Sequence, residues 1–112
     1  MKHFALDEFK CRCCGQVNMD EDFLSMLDDA RTIAGKPFVI SSGYRCPRHN
    51  AAVGSTSQNH TSGRAADIIV AYGPTRIKVL NGLIMAGFKR IGIGRQFIHV
   101  DNMDKIESCW LY

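Results

Sequence analysis

The sequence lacks any apolar run that approaches the roughly 18 residues needed to cross a membrane, so no membrane insertion is expected. Its first ten residues, MKHFALDEFK, also lack the apolar core and the small-residue cleavage pattern of a secretory signal peptide. We therefore expect a chain that is synthesised in the cytoplasm and that needs a separate delivery route if it acts beyond the membrane.

Long basic runs are missing as well. No five consecutive residues are Lys or Arg, and 14 basic against 11 acidic residues leave a net charge of only +3. This charge is too weak to indicate a nucleic acid partner. No repeat, linker or low-complexity segment divides the chain. We expect one domain over residues 1–112, with the N-terminal cysteine-containing segment 1–17 as part of it, and a monomer.

The five cysteines lack the pairing of a typical closed zinc site. Cys11, Cys13 and Cys14 cluster in "CRCCG", whereas Cys46 and Cys109 stand apart. A four-ligand zinc site usually has two CxxC-type halves, and this sequence has one. Cys46 could meet the cluster in a disulfide or a partial metal site, but reduced thiols are the ordinary state of a cytoplasmic product.

Apolar periodicity predicts two helices. Asn18 or Asp20 can cap the first, whose apolar face recurs along Phe23–Ala34 and which Gly35 ends. The second helix extends over residues 74–87, from a proline to a glycine. Its predicted apolar stripe is Ile77, Leu80 and Ile84.

Five short segments read as strands: PFVISSG, AADIIV, RIGIG, QFIHVD and SCWLY. Between the first two lies the polar loop 44–63, in which we expect only a short helical turn at residues 51–53. A loop of this length in a small domain is usually functional. The order of elements predicts an α+β fold, a mostly antiparallel sheet with helices packed on one side.

Two histidines and two aspartates are the candidate metal-binding and catalytic residues of the sequence. His60 and Asp67 flank a glycine turn, and the strand FIHVD places His99 and Asp101 on one face, because strand side chains alternate. Catalytic zinc takes three protein ligands and keeps one open position. His60, Asp67 and His99 supply such a set, and the metal would lower the pKa of a water molecule toward about 7.

Three phrases in this order, "ISSGYRCPRHNAAVG", "SQNHTSGRAADI" and "GIGRQFIHVD", closely resemble the zinc D-Ala-D-Ala carboxypeptidase and L-alanyl-D-glutamate endopeptidase family. The resemblance covers about Phe38–Asp101. It implies the Hedgehog/DD-peptidase fold, a bound Zn²⁺ and a peptidoglycan peptide as substrate. Small members of this family occur as phage endolysins and prophage-encoded wall peptidases.

The resemblance also implies roles for individual residues. The zinc ligands it implies are His60, Asp67 and His99. Arg45, in "SGYR", matches an arginine that holds the substrate's carboxylate or polarises the scissile carbonyl, for which a guanidinium fork is suited. Ser57 can hydrogen-bond a ligand, and we interpret His49 as a structural residue.

Gln96 departs from the pattern of the family. Many members have a carboxylate three residues before the last zinc histidine, where it acts as general base, and glutamine cannot accept that proton. Gln96 can still orient water or stabilise an oxyanion. Asp101 is the nearest alternative base, and a structural role for it is an equal hypothesis.

Two functions follow from the sequence. The first is a zinc peptidase that cuts peptidoglycan stem peptides with Arg45, Asp101 and Gln96 as catalytic residues. We expect a phage-type endolysin that reaches the wall or periplasm through a holin or another route, and a carboxypeptidase is the variant within this class. The second is a non-catalytic, zinc-stabilised wall-binding or phage structural module that lacks the general base.

Overall fold

The computed structural model describes all 112 residues as three helices and five strands, preceded by a 3-10 turn at Leu6–Phe9. The helices are α1 Glu21–Ala34, α2 Pro47–Ala52 and α3 Gly73–Met85. The strands are β1 Val39–Ser42, β2 Ala65–Ile69, β3 Arg90–Ile93, β4 Phe97–Asp101 and β5 Ser108–Leu111. None of the helices combines the length and the apolar character that crossing a bilayer requires.

The five strands form one sheet in the order β1-β2-β4-β3-β5. Three pairings are antiparallel, but β3 and β5 are parallel. The α+β class is therefore confirmed, whereas the prediction of a mostly antiparallel sheet is wrong, because the sheet is mixed. The physical reason is the segment 102–107, which passes the first residue of β3. It therefore starts β5 beside the start of β3, and the two strands run in the same direction.

The sheet has two different faces because successive side chains point to opposite sides. Ile68, Ile98 and Val100 are fully buried and belong to the same apolar core as the side chains of α1 and α3. On the other face, strand register aligns one residue from each of four strands. This row is Asp67, His99, Gly92 and Trp110. This row lies on the face of the sheet opposite the two long helices, and we call that side the polar face because Asp67 and His99 lie on it.

The first helix begins and ends at the residues that its sequence signals predict. The Asp20 carboxylate accepts a hydrogen bond from the backbone N–H of Phe23 at 3.0 Å, which caps the first turn. Gly35 ends the helix in the left-handed conformation, with φ 65°.

The apolar stripe predicted for the second long helix is wrong. Ile77 and Ile84 are 63% and 59% exposed, and α3 instead buries Val79, Gly82 and Leu83. Gly82 explains why α3 turns this face, and not the face of Ile77 and Ile84, toward α1. A Cβ there would collide with the carbonyl oxygen of an α1 residue, so the missing side chain sets the closest approach of α3 to α1.

The N-terminal segment packs into the same core. The rings of Phe4 and Phe9 are buried, with centroids 5.3 Å apart. The Asp28 carboxylate of α1 accepts hydrogen bonds from the backbone N–H groups of Lys2 and His3, each at 2.9 Å. These contacts fasten the start of the chain to α1.

The polar loop 44–63 contains more helix than its sequence predicts. The helix α2 begins at Pro47, rather than forming only a turn at residues 51–53. The loop ends at Gly63, which has φ 75° and whose missing side chain leaves room for the carbonyl of Asn18. This close approach holds the end of the loop, and therefore the start of β2, against the segment that precedes α1.

Candidate metal centre

The three predicted ligands come from different parts of the chain and meet on the polar face of the sheet. Asp67 and His99 are direct partners across β2 and β4. His60 lies in the last turn of the polar loop and is 5% exposed. One ligand atom from each of the three side chains lies within 4.8 Å of the other two.

The distances within this group suit a small tetrahedral cation. The Oδ1 atom of Asp67 is 3.4 Å from Nε2 of His60 and 2.9 Å from Nδ1 of His99. Zinc binds nitrogen and oxygen ligands at about 2.0–2.1 Å, which places two tetrahedral ligand atoms roughly 3.4 Å apart. The side chains therefore need only small movements to surround zinc.

The remaining ring nitrogens are engaged in a way that orients both imidazoles. His60 Nδ1 donates to the backbone carbonyl of Gly43 at 2.8 Å, and His99 Nε2 pairs with Oδ2 of Asp101 at 2.8 Å. Nε2 of His60 and Nδ1 of His99 are thereby left to face Asp67. Zinc-binding histidines usually fix their second nitrogen on a carbonyl or carboxylate in this manner, so the residues present fit the metal.

Asp101 is surrounded by donors and has no access to solvent. Its side chain is fully buried and accepts hydrogen bonds from Arg90 Nε at 2.7 Å, Asn59 Nδ2 at 3.2 Å and Met103 N–H at 3.1 Å. Burial alone would raise the pKa of Asp101, but His99 and Arg90 outweigh it and lower that pKa. The sequence leaves open whether Asp101 is a general base or a structural carboxylate. These contacts favour the structural role, in which Asp101 orients His99.

The charges of the site depend on one another. Burial acts to raise the pKa of Asp67, but hydrogen bonds from His60 and His99 hold it well below its usual range. Burial acts to lower the pKa of His99, and hydrogen bonds to Asp101 and Asp67 raise it instead. Because its pKa is raised, His99 holds a proton more firmly than a free imidazole does, and a metal ion that binds Nδ1 must compete with that proton.

Arg45 projects into the same cleft. One of its terminal nitrogens is 3.6 Å from Asp67 Oδ2, and its Nε donates to Ser42 Oγ at 3.2 Å. The cleft has a volume of about 380 Å³. Its lining comprises Arg45, Ser55, Ser57, Asn59, His60, Asp67, Phe97, His99, Trp110 and Tyr112. A guanidinium beside a metal centre in a cleft of this size can bind a carboxylate or a carbonyl oxygen of a peptide.

An aromatic wall completes the cleft, and the sequence analysis did not assign it. The rings of Trp110 and Tyr112 lie 5.6 Å and 6.4 Å from that of His99. They fit because Gly92 has no side chain: a Cβ there would be 2.5 Å from Trp110 Nε1 and 2.6 Å from Tyr112 Cε2. The alternation within SCWLY places both rings on one face, but only the strand order shows which neighbour they cover.

Three further predicted residues occupy different positions around the site. Gln96 lines a neighbouring depression together with Ser41 and Asp67, outside the main cleft. Ser57 lines the cleft, but its hydroxyl accepts the backbone N–H of Asn59 at 3.1 Å rather than contacting a ligand. His49 lies on α2 and does not line the cleft.

Sequence comparison assigns the chain to a family. Residues 2–101 match Peptidase M15, a family of zinc-dependent enzymes that act on peptides. No curated protein matches the chain. The match spans all three candidate ligands and Arg45, and it confirms the expectation of a zinc metallopeptidase at the level of the family. The clustered His60, Asp67 and His99 and this match over most of the sequence agree, and the chain belongs to the Peptidase M15 family.

Proposed function

We propose that the protein hydrolyses an amide bond in the stem peptides of bacterial peptidoglycan. The observation that carries this proposal is the convergence of His60, Asp67 and His99 with Arg45 in one cleft. The three motif phrases that contain these residues support the wall peptide as substrate. The stem peptide is rich in free carboxylates, which suits a cleft that presents a guanidinium.

Each side chain has a defined part in this proposal. His60, Asp67 and His99 would hold zinc, which would supply a Lewis acid able to acidify water and polarise a carbonyl. Arg45 binds a carboxylate or carbonyl of the peptide and fixes its position relative to the metal ligands. Asp101 keeps Nδ1 of His99 aimed at the metal position through its 2.8 Å contact with Nε2.

Within this class, we propose a lytic endopeptidase of the phage or prophage type. The support is the resemblance of the motif phrases to that group, together with the moderate positive charge of +3, which favours contact with an anionic wall. A carboxypeptidase that removes a terminal D-Ala is the alternative, because Arg45 could equally bind the carboxylate at the end of the peptide.

Mass spectrometry of defined muropeptides tests the proposal. We expect the zinc-loaded protein to cleave them, and we expect a chelator or His99→Ala to abolish cleavage. His49→Ala is the matched control, since His49 lies outside the cleft, and it should retain activity. Cleavage between L-Ala and D-Glu identifies the endopeptidase, and loss of terminal D-Ala identifies the carboxypeptidase. Cleavage that survives His99→Ala contradicts the assigned site.

A non-catalytic zinc module is the second candidate, and the lining of the cleft favours it. Asp67 is the only carboxylate there, and it is a metal ligand, while Asp101 is buried and Gln96 carries no carboxylate. No side chain in the cleft is therefore an evident general base, whose loss typically costs about 10²–10⁴ in rate. Intact muropeptides in the presence of one bound zinc at His60, Asp67 and His99 would support this candidate.

A further inference from the structure

Four sulfur atoms meet on the side of the N-terminal segment, apart from the peptidase site. This cysteine cluster comprises Cys11, Cys13, Cys14 and Cys46. The four Sγ atoms all lie within 4.8 Å of one another, and those of Cys13 and Cys46 are 3.4 Å apart. The four thiols are unpaired in the structure. Zinc binds thiolate at about 2.3 Å, which places tetrahedral sulfur ligands roughly 3.8 Å apart, within the range of the cluster.

The backbone around the cluster has the features of a metal-binding turn. The carbonyl of Cys11 accepts the N–H of Gly15 at 2.9 Å, and Gly15 has φ 73°, so the chain reverses immediately after the third cysteine. The backbone N–H of Cys46 points at Cys11 Sγ, and that of His49 points at Cys46 Sγ, each at 3.4 Å. Such N–H groups stabilise the negative charge that thiolate ligands carry.

We infer that the cysteine cluster is a second, structural zinc site. It is closed by four thiolates and keeps no position open for substrate. Three ligands come from the local sequence CRCCG, and Cys46 supplies the fourth from a segment that is distant in sequence but adjacent in space. Cys46 thus takes the place of a second CxxC half. Zinc binding releases the thiol protons to solvent, and no oxidant or reductant takes part.

The site would fasten the N-terminal turn to the segment that carries Arg45 into the peptidase cleft. Cys46 directly follows Arg45, and the backbone N–H of Tyr44 donates to the carbonyl of Phe9 at 2.8 Å. The next residue back, Gly43, provides the carbonyl that orients His60. A zinc ion that joins the N-terminal turn to Cys46 therefore holds the loop on which the position of Arg45 and the orientation of His60 depend.

A disulfide is the competing fate of these thiols. Cys13 and Cys46 are close enough to approach a disulfide, but that bond would leave the other two thiols of the cluster without a role. It would also require an oxidising environment. Four sulfurs that converge from two segments are better explained by one shared cation.

Metal stoichiometry and cobalt spectroscopy of the whole chain test the inference. Under reducing conditions, we expect about two zinc ions per chain in the wild type and about one in His99→Ala and in Cys46→Ala. Cys109→Ala is the matched control, because Cys109 lies in β5 outside the cluster, and it should keep both ions. Cobalt-loaded His99→Ala should show the intense sulfur-to-cobalt charge-transfer absorption, which a site without thiolates lacks.

Two results would overturn the inference. One is a His99→Ala protein that shows no sulfur-to-cobalt band, and the other is a native chain whose mass reveals a disulfide within the cluster. The cobalt measurement remains decisive even where Cys46→Ala fails to fold. Since neither readout needs turnover, a cluster without metal is distinguishable from an inactive peptidase.

For folded Cys46→Ala, we further expect the backbone amide hydrogen of Tyr44 to exchange with solvent about 10-fold faster than in the wild type, because its loop loses an anchor.

Discussion

At the scale of single residues, His99 is held between two carboxylates that have unequal access to solvent. Asp67 Oδ1 and Asp101 Oδ2 contact its two ring nitrogens at 2.9 Å and 2.8 Å. Asp67 lies in the cleft, whereas Asp101 is enclosed behind the ring. This asymmetry is the basis for our assignment of Asp67 as a candidate metal ligand and of Asp101 as the carboxylate that fixes the direction of the imidazole.

Substitution of Asp101 by asparagine should weaken zinc binding at the cleft. The amide is neutral, so it orients His99 less firmly, and loss of such an outer contact typically costs about 10–100-fold in metal affinity or activity. Competitive zinc titration of folded Asp101→Asn measures the change. Asp104→Asn is the control, because Asp104 is a highly exposed carboxylate in the loop that follows β4, and it should not alter affinity.

The same variant separates the two roles of Asp101. At saturating zinc, a positioning residue should leave most of the turnover intact. A fall of about 10²–10⁴ in kcat with full zinc occupancy is instead the signature of a general base. Unchanged zinc affinity would contradict the orienting role that we assign to Asp101.

At the scale of elements, the contact between α1 and α3 depends on the absence of a side chain. Gly82→Ala should destabilise the fold, although alanine is the better helix former by about 1 kcal/mol. The new Cβ would collide with the Ala30 carbonyl and lie 2.9 Å from Ala34 Cβ, and overpacking of this kind costs about 1–3 kcal/mol. Urea unfolding measures the expected net loss.

The control for this contact lies on the same helix. Gly73 begins α3, and a Cβ there would meet nothing within 4 Å, so Gly73→Ala should be neutral or slightly stabilising. Equal stability of the two variants would show that α3 can move away from α1 without cost.

A comparison of α1 with α3 shows which features of a helix the sequence alone can predict. The ends of α1 could be predicted because a cap and a glycine act within a few residues of the chain. The buried face of α3 could not, since Ile77 and Ile84 are more apolar than Gly82 and only the neighbouring helix makes the glycine the point of contact. A hydrophobicity scale ranks residues by their free energy of transfer from water to an apolar medium. It carries no information about how closely two helices approach each other.

At the scale of the whole molecule, the sequence predicted the group that could hold a metal ion, His60, Asp67 and His99, better than the rest of the candidate site. Strand alternation placed His99 and Asp101 on one side of β4, and the motif phrases indicated His60 and Asp67. The aromatic wall of Trp110 was not predictable in this way, and the sequence left open whether Cys46 meets the other three cysteines. Both depend on which distant segments become neighbours, namely β5 beside β3 and the N-terminal turn beside Cys46.

Long-range anchoring of the N-terminal segment also makes the stability of the whole fold sensitive to pH. Burial acts to raise the pKa of Asp28, but hydrogen bonds from the N–H groups of Lys2 and His3 outweigh it and lower that pKa below 3.8. The folded state therefore binds the proton of Asp28 more weakly than the unfolded chain. Its contribution to stability is present above the unfolded pKa and is lost as pH falls through the folded value.

Asp28→Asn should accordingly destabilise the protein near neutral pH and matter less in acid. Asparagine retains one acceptor oxygen but no charge, so we expect a loss of about 1–2 kcal/mol at pH 7, from a hydrogen bond to a charged group. Urea unfolding at pH 7 and at successively lower pH should show the difference from wild type shrink below about pH 4. Asp29→Asn, an exposed neighbour on α1, should match the wild type throughout. A difference that stays constant with pH would mean that Asp28 stabilises the N-terminal segment by shape and not by its charge.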